Sequence, residues 1–207
     1  IVCYSSGLPM GQPDALSILQ KRFGFAAFRP HQEEICAWVA SGKDSLVVMP
    51  TGAGKSLCYQ LPALVRGGTT LVISPLVALI EDQVQHLEQN HLRADRIHSG
   101  REREASRETF RAYLRGQLEF LFIAPERLAV PGFAEMLKKH PPKLIAVDEA
   151  HCISQWGHDF RPDYRLVGER LQGLDSVPIV ALTATAQSGS AFMGWSGACS
   201  GTGTCVV

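Results

Sequence analysis

The chain has 207 residues, with 20 lysines and arginines balanced by 20 aspartates and glutamates, and 45% of its residues are hydrophobic. That length holds one α/β domain with a full core and excludes two large ones. Zero net charge argues against a protein that coats nucleic acid by charge alone, while leaving room for a local basic stripe.

The first 13 residues are uncharged from Ile1 to Pro13 and carry neither the basic n-region nor the apolar core of a signal peptide. They are left unassigned, and the domain is predicted over 14–186. Helices are predicted from Asp14 to Phe23 and from His31 to Ser41. Leu46 to Met49 is a continuous apolar stretch bounded by turn residues, which reads as a strand buried on both faces.

Directly after that strand comes Pro50-Thr51-Gly52-Ala53-Gly54-Lys55-Ser56, and then a helical pattern from Lys55 to Val65 that Pro62 is expected to kink or end. Gly52 and Gly54 open backbone conformations closed to residues with a Cβ. The N–H groups of Thr51 to Ser56, Ala53 included, can therefore turn toward phosphate oxygens beside a helix N-terminus. Lys55 adds a mobile charge for the outer phosphates, and Ser56 offers a hydroxyl to magnesium. The strict form of this loop has Gly five residues before Gly54, where this chain has Met49.

Further strands are predicted at Thr70–Ile73, Asp95–His98, Phe120–Ile123, Leu144–Val147 and Ile179–Leu182, and further helices at Leu76–Asn90, Arg101–Leu114 and Gly132–His140. Alternating strands and helices imply right-handed crossovers and a mostly parallel central sheet flanked by helices. Between Arg93 and Arg115 seven arginines interleave with Glu102, Glu104 and Glu108, which reads as a solvated helix laced by ion pairs rather than a phosphate track.

The strand at Leu144–Val147 ends on Asp148-Glu149-Ala150-His151, two adjacent carboxylates where parallel α/β sheets bind ligands. Asp148 is expected to hold hydrated magnesium and Glu149 to orient and deprotonate the attacking water. Loop and carboxylates together describe a machine driven by nucleotide hydrolysis.

From Gln187 to Val207 no residue is charged, and Gly and Ser alternate with lone apolar residues, so 187–207 reads as a low-complexity tail: a truncated or artefactual end, a frame change or a foreign addition. The six cysteines, Cys3, Cys36, Cys58, Cys152, Cys199 and Cys205, show no metal-ligand spacing. A reducing cytoplasm is expected, near the nucleoid if the source is bacterial. No apolar run reaches the length of a membrane span.

The segments Asp148-Glu149-Ala150-His151 and Thr51-Gly52-Ala53-Gly54-Lys55-Ser56 resemble superfamily 2 helicases, and the residues around them resemble the RecQ family of DNA helicases. Phe23-Gly24-Phe25 with Phe28-Arg29-Pro30-His31-Gln32 is similar to that family's adenine-recognition motif, with His31 where a small residue is frequent. Ser74-Pro75-Leu76 with Asp82-Gln83, and Ile123 through Leu128, resemble its two single-strand-contact motifs. His151 through Pro162 resembles its aromatic-rich loop, and Leu182-Thr183-Ala184-Thr185-Ala186 its third motif. The likeness runs from about Leu16 to Ala186.

The resemblance implies a RecA-like P-loop NTPase domain that uses ATP and Mg²⁺, the first motor of a 3′ to 5′ ATP-dependent helicase acting on single-stranded and duplex DNA. It implies that Gln32 reads adenine, supported by Arg29 and with Phe25 stacking on the base. Ser74 and Arg127 would touch the strand. Trp156, His158, Phe160 and Arg161 would sense it and report to the carboxylates, with His151 bonding toward Thr183 or Thr185. Read without the resemblance, Gln32 simply begins a helix, and Trp156 and Phe160 pack their loop on the sheet. Nothing after Ala186 resembles the second RecA-like domain, whose arginine finger is worth about 10³ to 10⁵ in turnover. The chain alone is expected to bind nucleotide and hydrolyse it poorly. A nonhelicase P-loop ATPase or switch, and a nucleotide-binding fragment without unwinding, stay open as alternatives.

Overall fold

The structure is a computed structural model that describes residues 14–153 and 162–184. Six strands form one sheet: β1 (Ser45–Val48), β2 (Thr70–Ile73), β3 (Ala94–Ile97), β4 (Phe120–Ile123), β5 (Leu144–Val147) and β6 (Ile179–Thr183). Their spatial order is β1-β6-β5-β2-β4-β3 and every pairing is parallel. All six predicted strands are present: β2, β4 and β5 are apolar runs buried along their whole length, as the middle of a parallel sheet requires, while the edge strands β1 and β3 are only partly covered.

The pleat divides the core in two. On β4, Phe120 and Phe122 face one hydrophobic cluster, while Leu121 and Ile123 face the other. The first cluster is closed by α1 (Ala15–Phe23), α2 (Gln32–Ala40), α3 (Leu57–Arg66) and α4 (Val77–Gln89). The second is closed by α5 (Arg103–Leu114), α6 (Phe133–Lys139), α7 (Pro162–Arg165) and α8 (Val167–Arg170), together with a 3₁₀ turn at Pro125–Ala129.

Two local differences from the sequence reading have plain causes. Pro62 does not end α3, which runs through it to Arg66. The proline forfeits one backbone N–H, and that cost is offset because Leu57 through Ala63 are all buried against α1, α2 and the sheet. The two short helices α7 and α8 were not expected, since four residues each are too few to show a period. Among the described residues no helix is long and apolar enough to cross a membrane.

Candidate functional site

Parallel strands put their C-terminal ends on one rim of the sheet, and the loops after β1, β5 and β6 meet there. After β1 the chain turns back on itself: Ala53 N–H donates to Pro50 O at 3.2 Å, and Gly52 and Gly54 take φ of 78° and 88°. Those angles belong to the left-handed region that glycine enters without strain. Leu57 N–H then donates to Gly54 O at 3.2 Å and starts α3, with Ser56 as its N-cap and Lys55 just before it.

Gly54 has a second reason to lack a side chain: a Cβ there would collide with Gln32 Nε2. Gln32 is buried at the first position of α2, with its carboxamide bound to the loop. Its Nε2 donates to Ala53 O and Gly54 O at 3.3 and 3.2 Å, and its Oε1 accepts the N–H of Arg29 at 2.9 Å. The Arg29 guanidinium donates to Gly52 O. The predicted adenine-reading pair is therefore brought against the phosphate loop, where it braces three of its carbonyls. Phe25 stands 48% exposed. A largely apolar cavity of about 330 Å³ opens between Arg29, His31 and Ile35 on one side and Met49, Pro50 and Ala53 on the other.

At the end of β5 the two carboxylates diverge. Asp148 stays in the ladder, its N–H donating to Ile73 O at 2.9 Å, whereas Glu149 takes φ of 49° and turns away from the strand. Lys55 Nζ lies 3.8 Å from Glu149 Oε1, and it is buried with no hydrogen-bond partner among the described residues. The other Glu149 oxygen is 3.2 Å from His151 Nδ1, and the same nitrogen is 3.2 Å from Thr183 Oγ1 at the end of β6. Glu149, His151 and Thr183 thus form one chain of contacts, as the sequence reading expected for His151 and Thr183. Thr185, Trp156, His158, Phe160 and Arg161 lie outside the described residues.

Asp148 is held by two donors, Gln83 Nε2 at 3.1 Å and the Glu149 N–H at 3.0 Å. Burial pushes its carboxyl above the ordinary range, and the neighbouring Glu149 charge adds to this, while the Gln83 hydrogen bond and Lys55 pull the other way. Gln83 in turn accepts from the Tyr59 hydroxyl, so a buried line runs from α3 through α4 to the carboxylate. The role of Gln83 was missed: the motif containing it was legible, but its partner lies 65 residues away. Tyr164 was missed as well. Fully buried on α7, it places its hydroxyl 2.7 Å from Asp148 O and 3.0 Å from Ile73 O, fixing the chain just beyond Pro162 to the carboxylate strand.

The other predicted strand contacts lie elsewhere on the rim. Ser74 is fully buried, its hydroxyl without a hydrogen-bond partner among the described residues and its N–H donating to Ile123 O at 3.1 Å. Arg127 sits after β4, its guanidinium 5.0 Å from the Phe133 ring centroid.

The residues fit a magnesium nucleotide. A buried ammonium lacking a hydrogen-bond partner calls for an anion, and glycines that turn a backbone toward a helix N-terminus are suited to a polyphosphate. Among the described residues no cluster of three or more His, Cys, Asp or Glu could hold a metal by itself. Asp148 and the Ser56 hydroxyl are the oxygen donors that would hold a magnesium ion brought in with the nucleotide.

Comparison with known proteins agrees with this geometry. Residues 29–191 match the DEAD/DEAH box helicase family. The chain is 47% identical over 175 residues to the ATP-dependent DNA helicase RecQ of Haemophilus influenzae, covering 84% of this chain and 28% of that protein. It is 45% identical over 172 residues to the probable ATP-dependent DNA helicase RecS of Bacillus subtilis, covering 81% of this chain and 34% of that one. Against the ATP-dependent helicase SGS1 of Saccharomyces cerevisiae the identity is 43% over 185 residues, with coverage of 84% and 13%. The chain thus spans about a third or less of the length of these curated relatives. Among solved structures, the DUF1998 helicase MrfA bound to DNA and AMPPNP superposes with a TM-score of 0.62 at 18% identity, over 87% of this chain and 27% of that one. A hypothetical ATP-dependent RNA helicase from Sulfolobus tokodaii gives 0.62 at 20% identity, over 82% and 50%. Both likenesses concern the fold.

Proposed function

The chain belongs to the DEAD/DEAH box helicase family, and from that premise we propose that it is the first motor domain of a RecQ-type ATP-dependent DNA helicase, working with 3′ to 5′ polarity in a reducing cytoplasmic compartment. The observation that carries the reading is the Lys55 ammonium, buried with no hydrogen-bond partner among the described residues and 3.8 Å from Glu149.

ATP with Mg²⁺ supplies the phosphoryl group to be transferred and offsets part of its charge. Lys55 neutralises the outer phosphates, and the loop amides between Gly52 and Ser56 hold the chain of phosphates in place. Asp148 and Ser56 hold the magnesium, with Gln83 keeping the Asp148 carboxylate oriented. Glu149 takes the proton from the attacking water. His151 holds one Glu149 oxygen and ties it to Thr183 on β6, so a shift of either residue repositions the base. Gln32 releases the loop and turns its amide to adenine, with Phe25 stacking on the base. Trp156, His158, Phe160 and Arg161 meet single-stranded DNA, supported by Ser74 and Arg127, and the anchored segments on either side of that loop carry the contact to the carboxylates.

An arginine finger from a second RecA-like domain completes the transition state in this scheme, so the chain alone binds ATP and turns it over slowly. The test adds the second motor domain and measures ATP turnover with and without single-stranded DNA. DNA should raise the rate, and Glu149→Gln should lower the DNA-saturated rate by about 10² to 10⁴, the usual contribution of a general base, while nucleotide affinity holds. Turnover indifferent to DNA would favour a nonhelicase ATPase, and full activity in Glu149→Gln would remove Glu149 as the base.

A further inference from the structure

Three sulfurs meet against the phosphate loop, although their spacing along the chain gives no ligand signal. Cys36 comes from α2, Met49 from the residue after β1 and Cys58 from the first turn of α3. Cys58 Sγ lies 3.7 Å from Met49 Sδ. The Cys36 thiol is hydrogen-bonded to Cys58, which together with burial pushes its pKa up. Cys36 and Cys58 are 1% and 0% exposed, and Met49 is half-buried. Each thiol also faces a backbone carbonyl, Cys36 Sγ at 3.7 Å from Leu57 O and Cys58 Sγ at 3.9 Å from Gly54 O. Gly54 O already accepts from Gln32 Nε2 and the Leu57 N–H, so it stays satisfied if the thiol proton leaves.

Two thiols and a thioether are a soft donor set. Magnesium and calcium take oxygen ligands and have none here. Zinc calls for four nitrogen, sulfur or carboxylate ligands. Among the described residues no group of three or more His, Cys, Asp or Glu could supply them. Cu(I) is the ion that accepts a thioether beside thiolates and is content with three sulfurs. With metal–sulfur bonds of about 2.3 Å, three sulfurs around one ion stand about 4 Å apart, close to the 3.7 Å between Cys58 and Met49. Met49 and Ile35, the neighbour of Cys36, line the apolar cavity of about 330 Å³ beside the loop, which gives an ion a way in.

We propose that Cys36, Met49 and Cys58 form a binding site for a thiophilic cation, Cu(I), held by two thiolates and one thioether. Binding releases the two thiol protons to solvent and moves no electron, because copper arrives already reduced in the presence of excess thiol. The site does not rest on the nucleotide or DNA reading. Occupied, it ties α2 to the end of β1 and the start of α3, so the two flanks of the phosphate loop are clamped together.

The experiment uses the 207-residue chain, with Cys3→Ser, Cys199→Ser and Cys205→Ser in every protein so that thiols outside the described residues do not compete. Cu(I) is titrated without oxygen against the chelator bicinchoninate, and melting curves confirm that each variant folds. The parent should bind one ion per chain. Cys36→Val and Cys58→Ala should each weaken binding by more than about 100-fold, beyond what an outer-shell change gives. Met49→Leu, which keeps the volume, should weaken it less. Cys152→Ala removes a buried thiol outside the cluster and should bind as the parent does. X-ray absorption on the parent reads the donors without any variant, and three sulfurs at about 2.3 Å are expected. The site is overturned by a parent that does not outcompete bicinchoninate, by unchanged binding in either cysteine variant, by an equal loss in Cys152→Ala, or by nitrogen or oxygen donors in the spectrum. None of these outcomes bears on ATP or DNA.

Discussion

The two ends of the rim handle charge in opposite ways. At the nucleotide end nearly every polar side chain is already satisfied by another: Gln32 and Arg29 by the loop carbonyls, Asp148 by Gln83, Glu149 by His151. Lys55 alone among these is left without a hydrogen bond from a described residue. At the β3–β4 end a cavity of about 560 Å³ is lined among others by His98, Arg101, Arg103, Arg107 and Arg127, and two buried nitrogens there, Arg127 Nε and His98 Nδ1, lack hydrogen-bond partners among the described residues. The first arrangement suits a ligand that brings its own metal, because most of the local electrostatics is settled before it arrives. The second leaves more cationic side chains than carboxylates in the wall. Preorganisation and uncompensated charge are thus separate strategies on one sheet.

Three changes test that contrast. The largest effect is expected from Lys55→Ala, which removes the buried ammonium that has no hydrogen-bond partner among the described residues at the nucleotide end. Losing a hydrogen bond to a charged group costs about 1.5 to 3 kcal/mol, or roughly 10- to 150-fold in ATP affinity. Calorimetry with Mg²⁺-ATP, run beside a melting curve, checks this. Unchanged affinity would mean that the paired end is not a nucleotide site at all.

Gln83→Leu comes next, because it leaves the settled network in place except for the brace on Asp148. Loss of an outer-shell partner costs about 10- to 100-fold in metal affinity. The Mg²⁺ concentration that half-saturates nucleotide binding should rise toward the lower part of that range, with metal-free nucleotide binding altered less. An equal loss with and without Mg²⁺ would make Gln83 a packing residue.

The smallest effect is on stability. Burial raises the Asp148 pKa, so the protonated carboxyl favours the folded state. Stability from this group is full below the unfolded pKa and is lost as pH rises through the higher folded value, leaving a buried charge at neutral pH. Asp148→Asn should therefore melt a few degrees higher than the wild type near pH 7 without nucleotide, and the gap should close as pH falls into the carboxylate range. A variant that melts lower at pH 7 would show that the network fully compensates the charge.

How much of this was legible depends on whether a signal was local. The strands could be read because β-branched runs such as Leu71-Val72-Ile73 and Leu144-Ile145-Ala146-Val147 are buried on both faces. The phosphate loop and the carboxylate pair could be read because their spacing along the chain is itself the geometry. Gln32 was legible as a participant, but its present bonds to Ala53 and Gly54 depend on how α2 packs across the loop. Ser74, which the resemblance sets against the strand, is fully buried. The arginine run from Arg93 to Arg115 read as a solvated helix, and Arg107 does pair with Glu104 as that reading expects. The cavity beside it needs the 3₁₀ turn at Pro125–Ala129, which no pattern within the run can announce.

The turn at Glu149 has an energetic consequence. A φ of 49° on a residue with a side chain is strained by about 1 to 2 kcal/mol relative to glycine. Glycine at this position would relax the backbone and give a sturdier domain, yet it would empty the place beside Lys55 and His151 where a carboxylate now sits. Durability and the proposed chemistry therefore favour different residues at position 149, and the chain carries the one that the proposed chemistry needs.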